Sequence, residues 1–186
     1  MSAIRLKVKK VEGEYDQGLS KILGNPVLPE ELVEAFPSTV MFLMQIKLED
    51  IKDLDEENLL PHHGYLYFFL DTQGGAYNLK PIVKYYDDEP THFVEGFNEV
   101  VDDFEQYNQD FLIEFEKCED EADGNKLLGH PSDWQYQETK DRLLFQLDPL
   151  AGDEMNLFPT FDGFLYFFFG ENLKDFDQVK LVVDIS

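Results

Sequence analysis

Cysteine and basic residues are the scarcest features of this sequence. Its 186 residues include one cysteine, Cys118, which excludes an intrachain disulfide and any metal site built from two cysteines. The acidic neighbours Glu116, Glu119 and Asp120 are expected to raise the pKa of this thiol, which argues against a reactive nucleophile. Only 15 Lys and Arg stand against 39 Asp and Glu, which gives a formal net charge of −24. A chain this acidic repels nucleic acids and anionic membranes, so we expect neither as a partner.

Long apolar runs are also missing. No uninterrupted stretch reaches the length of a transmembrane helix, and the first residues lack the apolar core of a signal peptide. We therefore expect a soluble, cytoplasmic protein. The sequence nevertheless contains enough apolar residues to form a core, because 43% of the residues are hydrophobic. The aromatic residues include 17 Phe and 9 Tyr. Aromatic rings pack well on the pleated surface of a sheet, so this composition favours strands over helices.

Short periodic patterns predict several strands. Apolar and basic residues alternate over residues 4–9, which is typical of a half-exposed strand, and lysines on its outer face favour the edge of a sheet. Further strands are predicted from apolar runs or alternation over residues 40–48, 64–69, 82–86, 111–115, 142–147, 163–168 and 179–185. This number of strands predicts a mainly β or α+β fold.

Two segments have the pattern of a helix. Residues 29–36 combine a proline in the first turn with acids near the N-terminus, and Pro37 ends the segment. Residues 97–107 carry apolar side chains at intervals of three and four, which is typical of an amphipathic helix. These apolar side chains are Phe97, Val100, Val101, Phe104 and Tyr107. The acids between them are predicted to lie on the exposed face.

Three motifs occur twice, about one hundred residues apart. Residues 64–69, Gly-Tyr-Leu-Tyr-Phe-Phe, return at 163–168 with one aromatic residue exchanged for another. The pattern Lys-x-x-Gly-x-Pro begins at Lys21 and again at Lys126. A glutamine interrupts an apolar strand in each half of the chain. The motifs keep their order, which indicates an internal duplication.

The repeated motifs define the predicted domain organisation. Residues 1–186 are predicted to form one domain with half-repeats over about 15–90 and 124–186 and an acidic connection over 91–123. Neither half can bury its apolar strand faces alone, so the halves must pack together. The two aromatic strands are predicted to pair with each other at the centre of the core.

The same residues resemble the YwqG-like family, a bacterial domain of unknown function. The resemblance rests on the lysine loops, the glutamine strands, the aromatic strands and the closing segment Lys-Asp-Phe-Asp-Gln-Val at 174–179. It spans residues 20–186 and implies a mainly β fold, either roll-like or two-sheet, with internal pseudo-symmetry. The predicted fold is therefore antiparallel sheets in a roll-like arrangement of two pseudo-symmetric half-repeats, with a few short helices. The resemblance implies no catalytic residues.

Gln45 and Gln146 are candidate ligand-binding residues, because each half keeps an amide inside an apolar strand. A buried amide needs hydrogen-bonding partners. Either each amide bonds to neighbouring backbone and pins a turn, or the two amides face a cleft between the half-repeats and hold a polar ligand group.

No other pattern predicts a catalytic, cofactor-binding or metal site. The adjacent His62 and His63 are expected to point apart in a strand-entry loop, which is poor geometry for one metal ion. Gly24 and Gly129 lack the companions of a phosphate-binding loop. No segment has the carboxylate spacing of a calcium loop, and no serine has the context of a nucleophile. We expect no cofactor, and the sequence favours a protein that is not an enzyme.

Acidity is the remaining functional signal. It predicts a non-catalytic protein-binding module that engages a basic partner, as an immunity protein or antitoxin would neutralise a basic toxin, although such acidity also serves solubility alone. One alternative is a small-ligand-binding or enzymatic domain with its site between the half-repeats, and another is assembly through aromatic edges. We expect a monomer or a weak dimer. The candidate protein-binding face comprises Asp102, Asp103, Glu105, Glu119, Asp120, Glu121 and Asp123.

Overall fold

The structure, a computed structural model, describes residues 2–137, 140–152, 155, 157, 161 and 163–185. Within these residues the fold is mainly β. The strands in chain order are β1 (Ser2–Lys10), β2 (Lys21–Ile22), β3 (Val27–Leu28), β4 (Val40–Lys47), β5 (Tyr65–Asp71), β6 (Lys80–Tyr86), β7 (His92–Phe93), β8 (Phe111–Glu119), β9 (Lys126–Leu127), β10 (Leu143–Leu147), β11 (Phe164–Phe168) and β12 (Lys180–Asp184).

The helices of the described residues are short. They are α1 (Glu30–Val33), α2 (Trp134–Gln137) and three 3₁₀ segments, Leu48–Ile51, Phe97–Val100 and Phe176–Gln178. Helix α1 follows Pro29, as the sequence predicts, and its first turn carries Glu30 and Glu31. No helix of the described part combines the length and the apolar character needed to span a membrane.

Ten strands form one antiparallel sheet in the order β12-β11-β10-β9-β1-β8-β2-β4-β5-β6, while β3 and β7 form a small separate sheet. The two edge strands of the large sheet, β6 and β12, approach one another to within 8 Å between Cα atoms. The sheet is therefore a nearly closed roll, and the predicted mainly β, roll-like fold with a few short helices is confirmed.

The roll encloses a core to which both aromatic strands contribute. Alternate residues of β5 point inward, and Phe68 packs against Phe145 and Phe167 with ring centroids 5.3 and 5.5 Å apart. The other face of β5 carries Tyr65, Tyr67 and Phe69, which form a second buried cluster beneath α1. Strands with both faces covered must be apolar throughout, and this explains the uninterrupted aromatic runs.

The two aromatic strands meet across the interior and do not pair with each other. Strand β5 lies between β4 and β6, and β11 lies between β10 and β12. The prediction that they pair is therefore wrong. Inward-facing rings from opposite walls of a roll can touch without any hydrogen bond between their strands, and sequence similarity does not distinguish these two arrangements.

Strand β1 is central, and its predicted edge position is wrong. It pairs with β8 along its whole length and with β9 on its other side. The basic residues of β1 are accommodated because the facing strand is acidic. Glu116 lies 2.7 Å from Lys7 Nζ and 3.8 Å from Arg5 Nε. Cross-strand pairs of opposite charge stabilise a sheet, so lysines here indicate an acidic neighbour rather than a solvent edge.

The predicted amphipathic helix over 97–107 is also wrong. Only Phe97–Val100 is helical, and the chain then continues as a series of turns. The N–H groups of Val101, Phe104 and Tyr107 each donate to the carbonyl three residues earlier. Asp103 has a left-handed backbone with φ of 68°, which an α-helix cannot include. Val101, Phe104 and Tyr107 are buried as predicted, but tight turns place them there. Val100, which is predicted on the same apolar face, is instead 67% exposed.

Candidate functional site

The Gln45 amide is buried and hydrogen-bonded to backbone groups. Its Oε1 accepts a hydrogen bond from Val27 N at 2.9 Å. Its Nε2 donates to the carbonyl oxygens of Gln17 at 3.0 Å and Leu19 at 2.9 Å. The side chain is 0% exposed. This glutamine therefore ties two loops to strand β4, and with both N–H donors used and the side chain fully buried it has no donor to offer a ligand.

Gln146 makes the corresponding bonds in β10. Its Oε1 accepts from Ser132 N at 2.9 Å, and its Nε2 donates to Gly124 O at 2.8 Å. This side chain is also 0% exposed. Both amides thus bond to neighbouring backbone, as the first of the two interpretations expects. Both side chains are fully buried within the sheet, so neither is exposed to a cleft among the described residues.

The first lysine loop has an unusual backbone. Leu23 and Gly24 both have positive φ values, 61° and 76°. A Cβ atom on Gly24 would overlap the carboxylate of Asp110, whose Oδ1 accepts a hydrogen bond from Asn25 N at 2.6 Å. The loop therefore curls around an aspartate side chain, and Gly24 is required both by its backbone angle and by this close approach.

Lys21 is fully buried beside that aspartate. Its Nζ donates to Tyr15 Oη at 3.2 Å and to Gln17 Oε1 at 3.1 Å. It lies 3.8 Å from Asp110 Oδ2, which also accepts a hydrogen bond from Tyr15. Burial lowers the pKa of Lys21 to about 8, although the charge of Asp110 acts in the opposite direction. Burial also raises the pKa of Tyr15 strongly, and the hydrogen bond to Asp110 adds to that effect.

The second lysine loop repeats the backbone with a different anchor. Leu128 and Gly129 have φ values of 61° and 77°, and Lys126 is 0% exposed. The anchor here is the main chain of Asp120, whose carbonyl accepts from Lys126 Nζ at 2.8 Å and from His130 N at 3.1 Å. Burial lowers the pKa of Lys126 to about 8 as well. The two loops thus share their shape but not their chemistry.

His130 differs most from its counterpart in the first loop, Asn25. The Nδ1 atom of His130 lies 2.7 Å from Asp120 Oδ2, and the ring is partly exposed. Asn25 instead bonds inward, because its Oδ1 accepts from Gly96 N at 2.6 Å. Only the second loop therefore presents a titratable side chain at the surface.

The seven acids of the candidate protein-binding face do not form one surface. Asp102, Asp103 and Glu105 precede strand β8, while the group from Glu119 to Asp123 ends and follows it. The nine residues of β8 separate the groups by about 26 Å, given a rise of about 3.3 Å per residue. Asp120 moreover holds the second lysine loop. The two groups must be treated as separate surfaces.

The first acidic group lines an open groove of about 780 Å³. Asp102, Asp103 and Glu105 lie on one side of it, and residues of the β4 and β5 ends, including Thr39 and Thr72, lie on the other. Val100 also lines the groove and is 67% exposed. None of the ion pairs among the described residues uses these three carboxylates. The groove therefore carries uncompensated negative charge next to an exposed apolar side chain.

The histidine pair and Cys118 are the remaining candidates. His62 pairs with Asp55 at 3.1 Å, while His63 bonds to Tyr85, so the adjacent rings diverge. Burial raises the pKa of Cys118, and the acids that flank it contribute less than burial does. No group of three or more His, Cys, Asp or Glu side chains in the described part could hold a metal ion.

A groove between the predicted half-repeats exists, but without the glutamines. About 400 Å³ of space lies at the seam of the roll, between the loop before β5 and the segment before β12. Tyr85 and Phe176 line it, with ring centroids 6.3 Å apart. Two aromatic rings thus line this groove, whereas Gln45 and Gln146 lie elsewhere.

Sequence reasoning missed the buried partners of the lysines. Tyr15, Gln17 and Asp110 carry no motif and meet Lys21 only in the folded chain. One signal could have indicated the two buried lysines. Both stand at the first position of the repeated motif, directly before two apolar residues. A solvated lysine needs no such fixed position.

Comparison with known proteins adds one finding. Residues 20–93 match a domain of unknown function, DUF1963. The matched segment runs from the residue before the first lysine loop to the end of β7 and includes β4, β5 and β6. No curated protein matches the chain.

Proposed function

We propose that this protein is a non-catalytic binding module that engages a basic protein partner, in the manner of an immunity protein or antitoxin. The observation that carries the proposal is the open groove lined by Asp102, Asp103 and Glu105. Its carboxylates attract a basic segment, and an apolar side chain of the partner can rest on Val100. Electrostatic complementarity of this kind speeds association and selects the partner's charge.

The overall charge supports the same partner. With a net charge of −24, the chain attracts cationic proteins at long range and repels acidic ones. The groove then supplies what net charge alone does not, namely a fixed position for the contact. An immunity protein or antitoxin uses these same two properties against a basic toxin.

We also infer that the chain is a bacterial, cytoplasmic, YwqG-like protein with two half-repeats. The match to DUF1963 covers most of the first predicted half-repeat, and the lysine loop, the glutamine and the aromatic strand recur in the second. The paired bonds of Gln45 and Gln146 and the equal backbone angles of the two loops support the duplication.

Affinity capture from native lysate at low salt, followed by identification of the retained protein, tests the proposed function. The affinity of that purified partner is then measured by calorimetry for the wild type and for the triple variant Asp102→Asn, Asp103→Asn, Glu105→Gln. Asparagine tolerates the left-handed backbone of Asp103, so this variant should fold. We expect a basic partner whose affinity falls at least about tenfold in the variant and decreases with salt.

The chain offers a control with the same change in charge. The triple variant Glu119→Gln, Glu121→Gln, Asp123→Asn also removes three carboxylates, but at the other end of β8. It should retain nearly all of the affinity. Equal losses in the two variants would show that net charge alone is responsible, and a captured partner that is not basic would contradict the proposal outright.

A further inference from the structure

A second groove lies beside the second lysine loop and, unlike the acidic groove, is lined by basic as well as acidic side chains. It encloses about 240 Å³ and brings Glu57 together with His130 and with Lys140, Asp141 and Arg142. The groove thus joins a loop of the first predicted half-repeat to two loops of the second. Its volume is below the roughly 300 Å³ at which pockets for drug-sized ligands begin, so it suits a small group.

Both carboxylates of the groove are already engaged by cations. Glu57 Oε2 lies 2.7 Å from Arg142 Nη1, and Asp141 Oδ2 lies 3.4 Å from Lys180 Nζ. Lys140 is exposed and takes part in none of the ion pairs of the described residues. Arg142 keeps guanidinium donors beyond the one used by Glu57. In a chain with 39 acids and 15 bases, a groove with as many basic as acidic side chains is an exception, and the ammonium group of Lys140 and the remaining donors of Arg142 favour an anion there.

His130 is held in one orientation at the edge of this groove. Its backbone N–H donates to Asp120 O at 3.1 Å, and its Nδ1 lies 2.7 Å from Asp120 Oδ2. A carboxylate accepts hydrogen bonds, so Nδ1 carries a hydrogen, and Nε2 can donate to a ligand only in the imidazolium form, in which both ring nitrogens carry one. Lys126 Nζ fixes the same aspartate through its carbonyl. The buried lysine therefore positions the histidine indirectly.

We propose that this groove binds the phosphate group of a small phosphomonoester. Arginine, lysine and the imidazolium form of His130 each supply charge-assisted donors to a phosphate, and the fork of the guanidinium suits its oxygens. The ester group would lie over Leu59, which also lines the groove. This site is separate from the acidic groove at Asp102, Asp103 and Glu105, so either one can exist without the other.

Titration of the isotopically labelled protein with inorganic phosphate and with glycerol phosphate, at constant ionic strength, tests this proposal. We expect saturable shifts of the Gly129 and His130 amide signals and of the His130 ring nitrogens with both ligands. His130→Asn should weaken binding about tenfold, because it removes one charge-assisted donor. Asn25 already occupies this place in the first lysine loop, so the backbone should tolerate asparagine.

Two further variants keep the result interpretable. Lys140→Gln changes only an exposed side chain and should also weaken binding severalfold, while His63→Asn removes a histidine outside the groove and should leave it unchanged. The proposal is overturned if phosphate gives no saturable shift, or if His130→Asn binds as tightly as the wild type. Binding of inorganic phosphate with no binding of glycerol phosphate would likewise exclude a phosphomonoester site.

Discussion

The two lysine loops, 21–26 and 126–131, are the most instructive pair of regions in the molecule. Each begins with a fully buried lysine and passes through a leucine and a glycine with nearly equal positive φ values. In each the leucine N–H donates to the neighbouring strand, Leu23 to Leu43 O and Leu128 to Leu144 O. The backbone requirements of the two loops are therefore the same.

Their side chains differ around that common backbone. The first loop surrounds the Asp110 carboxylate, and Tyr15 and Gln17 cover its lysine. The second loop rests on the main chain of Asp120 and exposes His130. Backbone shape is thus held by glycine and by hydrogen bonds to carbonyls, whereas the surface chemistry is free to change. A difference in function between the halves is expected where the loops differ.

The largest predicted effect concerns the shared glycines. Gly24→Ala and Gly129→Ala should each lower the free energy of unfolding by about 3 kcal/mol, because the left-handed backbone and a blocked Cβ position both oppose a side chain. At Gly129 the new atom would lie 2.6 Å from Asp120 O. Gly13→Ala is the control, since Gly13 has a φ of 87° but open space around it. It should cost about 1 kcal/mol. Chemical denaturation measures all three.

An equal cost at the three glycines would indicate that backbone angle alone matters and that the close packing against Asp110 and Asp120 contributes nothing. A loss at Gly24 without one at Gly129 would break the comparison between the loops.

The shared glutamines give the next effect. Gln45→Leu should cost about 3 kcal/mol, because it leaves Val27 N and two carbonyl groups without partners inside the protein. Gln146→Leu should lower the free energy of unfolding by about 2 kcal/mol, since Gln146 makes one hydrogen bond fewer than Gln45 among those described. Thermal and denaturant unfolding of both variants are the measurements. Unchanged stability in either would refute the structural role assigned to these amides.

These residues also show how much of the structure can be predicted from the sequence. The repeated glutamines and glycines could be predicted as backbone determinants, because few residue types satisfy a buried backbone group or a left-handed turn. The strands followed from apolar alternation and from aromatic content, whereas the roll was implied by the resemblance to the YwqG-like family. Local patterns of this kind depend on nearest neighbours along the chain, and the sequence displays them directly.

Contacts between distant segments could not be predicted. Asp110 lies 89 positions after Lys21, and nothing in its local sequence distinguishes it from the other 38 acids. The central position of β1 depends on acids in β8, which the sequence places 100 residues away. The His130 groove needs Glu57 from the other half of the chain. Such sites arise from topology, so they appear only when the fold is known.

The buried lysines predict a pH dependence of smaller size. Their pKa is lowered from 10.5 to about 8 in the folded protein, so between these values the unfolded chain binds protons that the folded chain does not. The free energy of unfolding should therefore rise between pH 8 and pH 10, by about 2 kcal/mol per lysine. Above pH 10 the trend should reverse, because burial raises the pKa of Tyr67 and the unfolded chain loses that proton first.

Denaturant unfolding across this pH range is compared for the wild type, Lys21→Met and Lys126→Met. In each variant the free energy of unfolding should rise less steeply with pH than in the wild type. At neutral pH, Lys21→Met should lose more stability than Lys126→Met, because it leaves Asp110 without its cation. The exposed Lys52 provides a control, since Lys52→Met should keep the wild-type slope. A slope that neither buried variant changes would contradict the assigned pKa shifts.

Exchanging the residues that differ tests the central claim that the loops share a backbone but not a chemistry. The free energies of unfolding of Asn25→His and His130→Asn are the measurement. We predict that Asn25→His is at least about 1 kcal/mol more costly, because it breaks the inward bond to Gly96 N, whereas asparagine suits the shared backbone at position 130. Equal costs, or a greater cost for His130→Asn, would contradict the account.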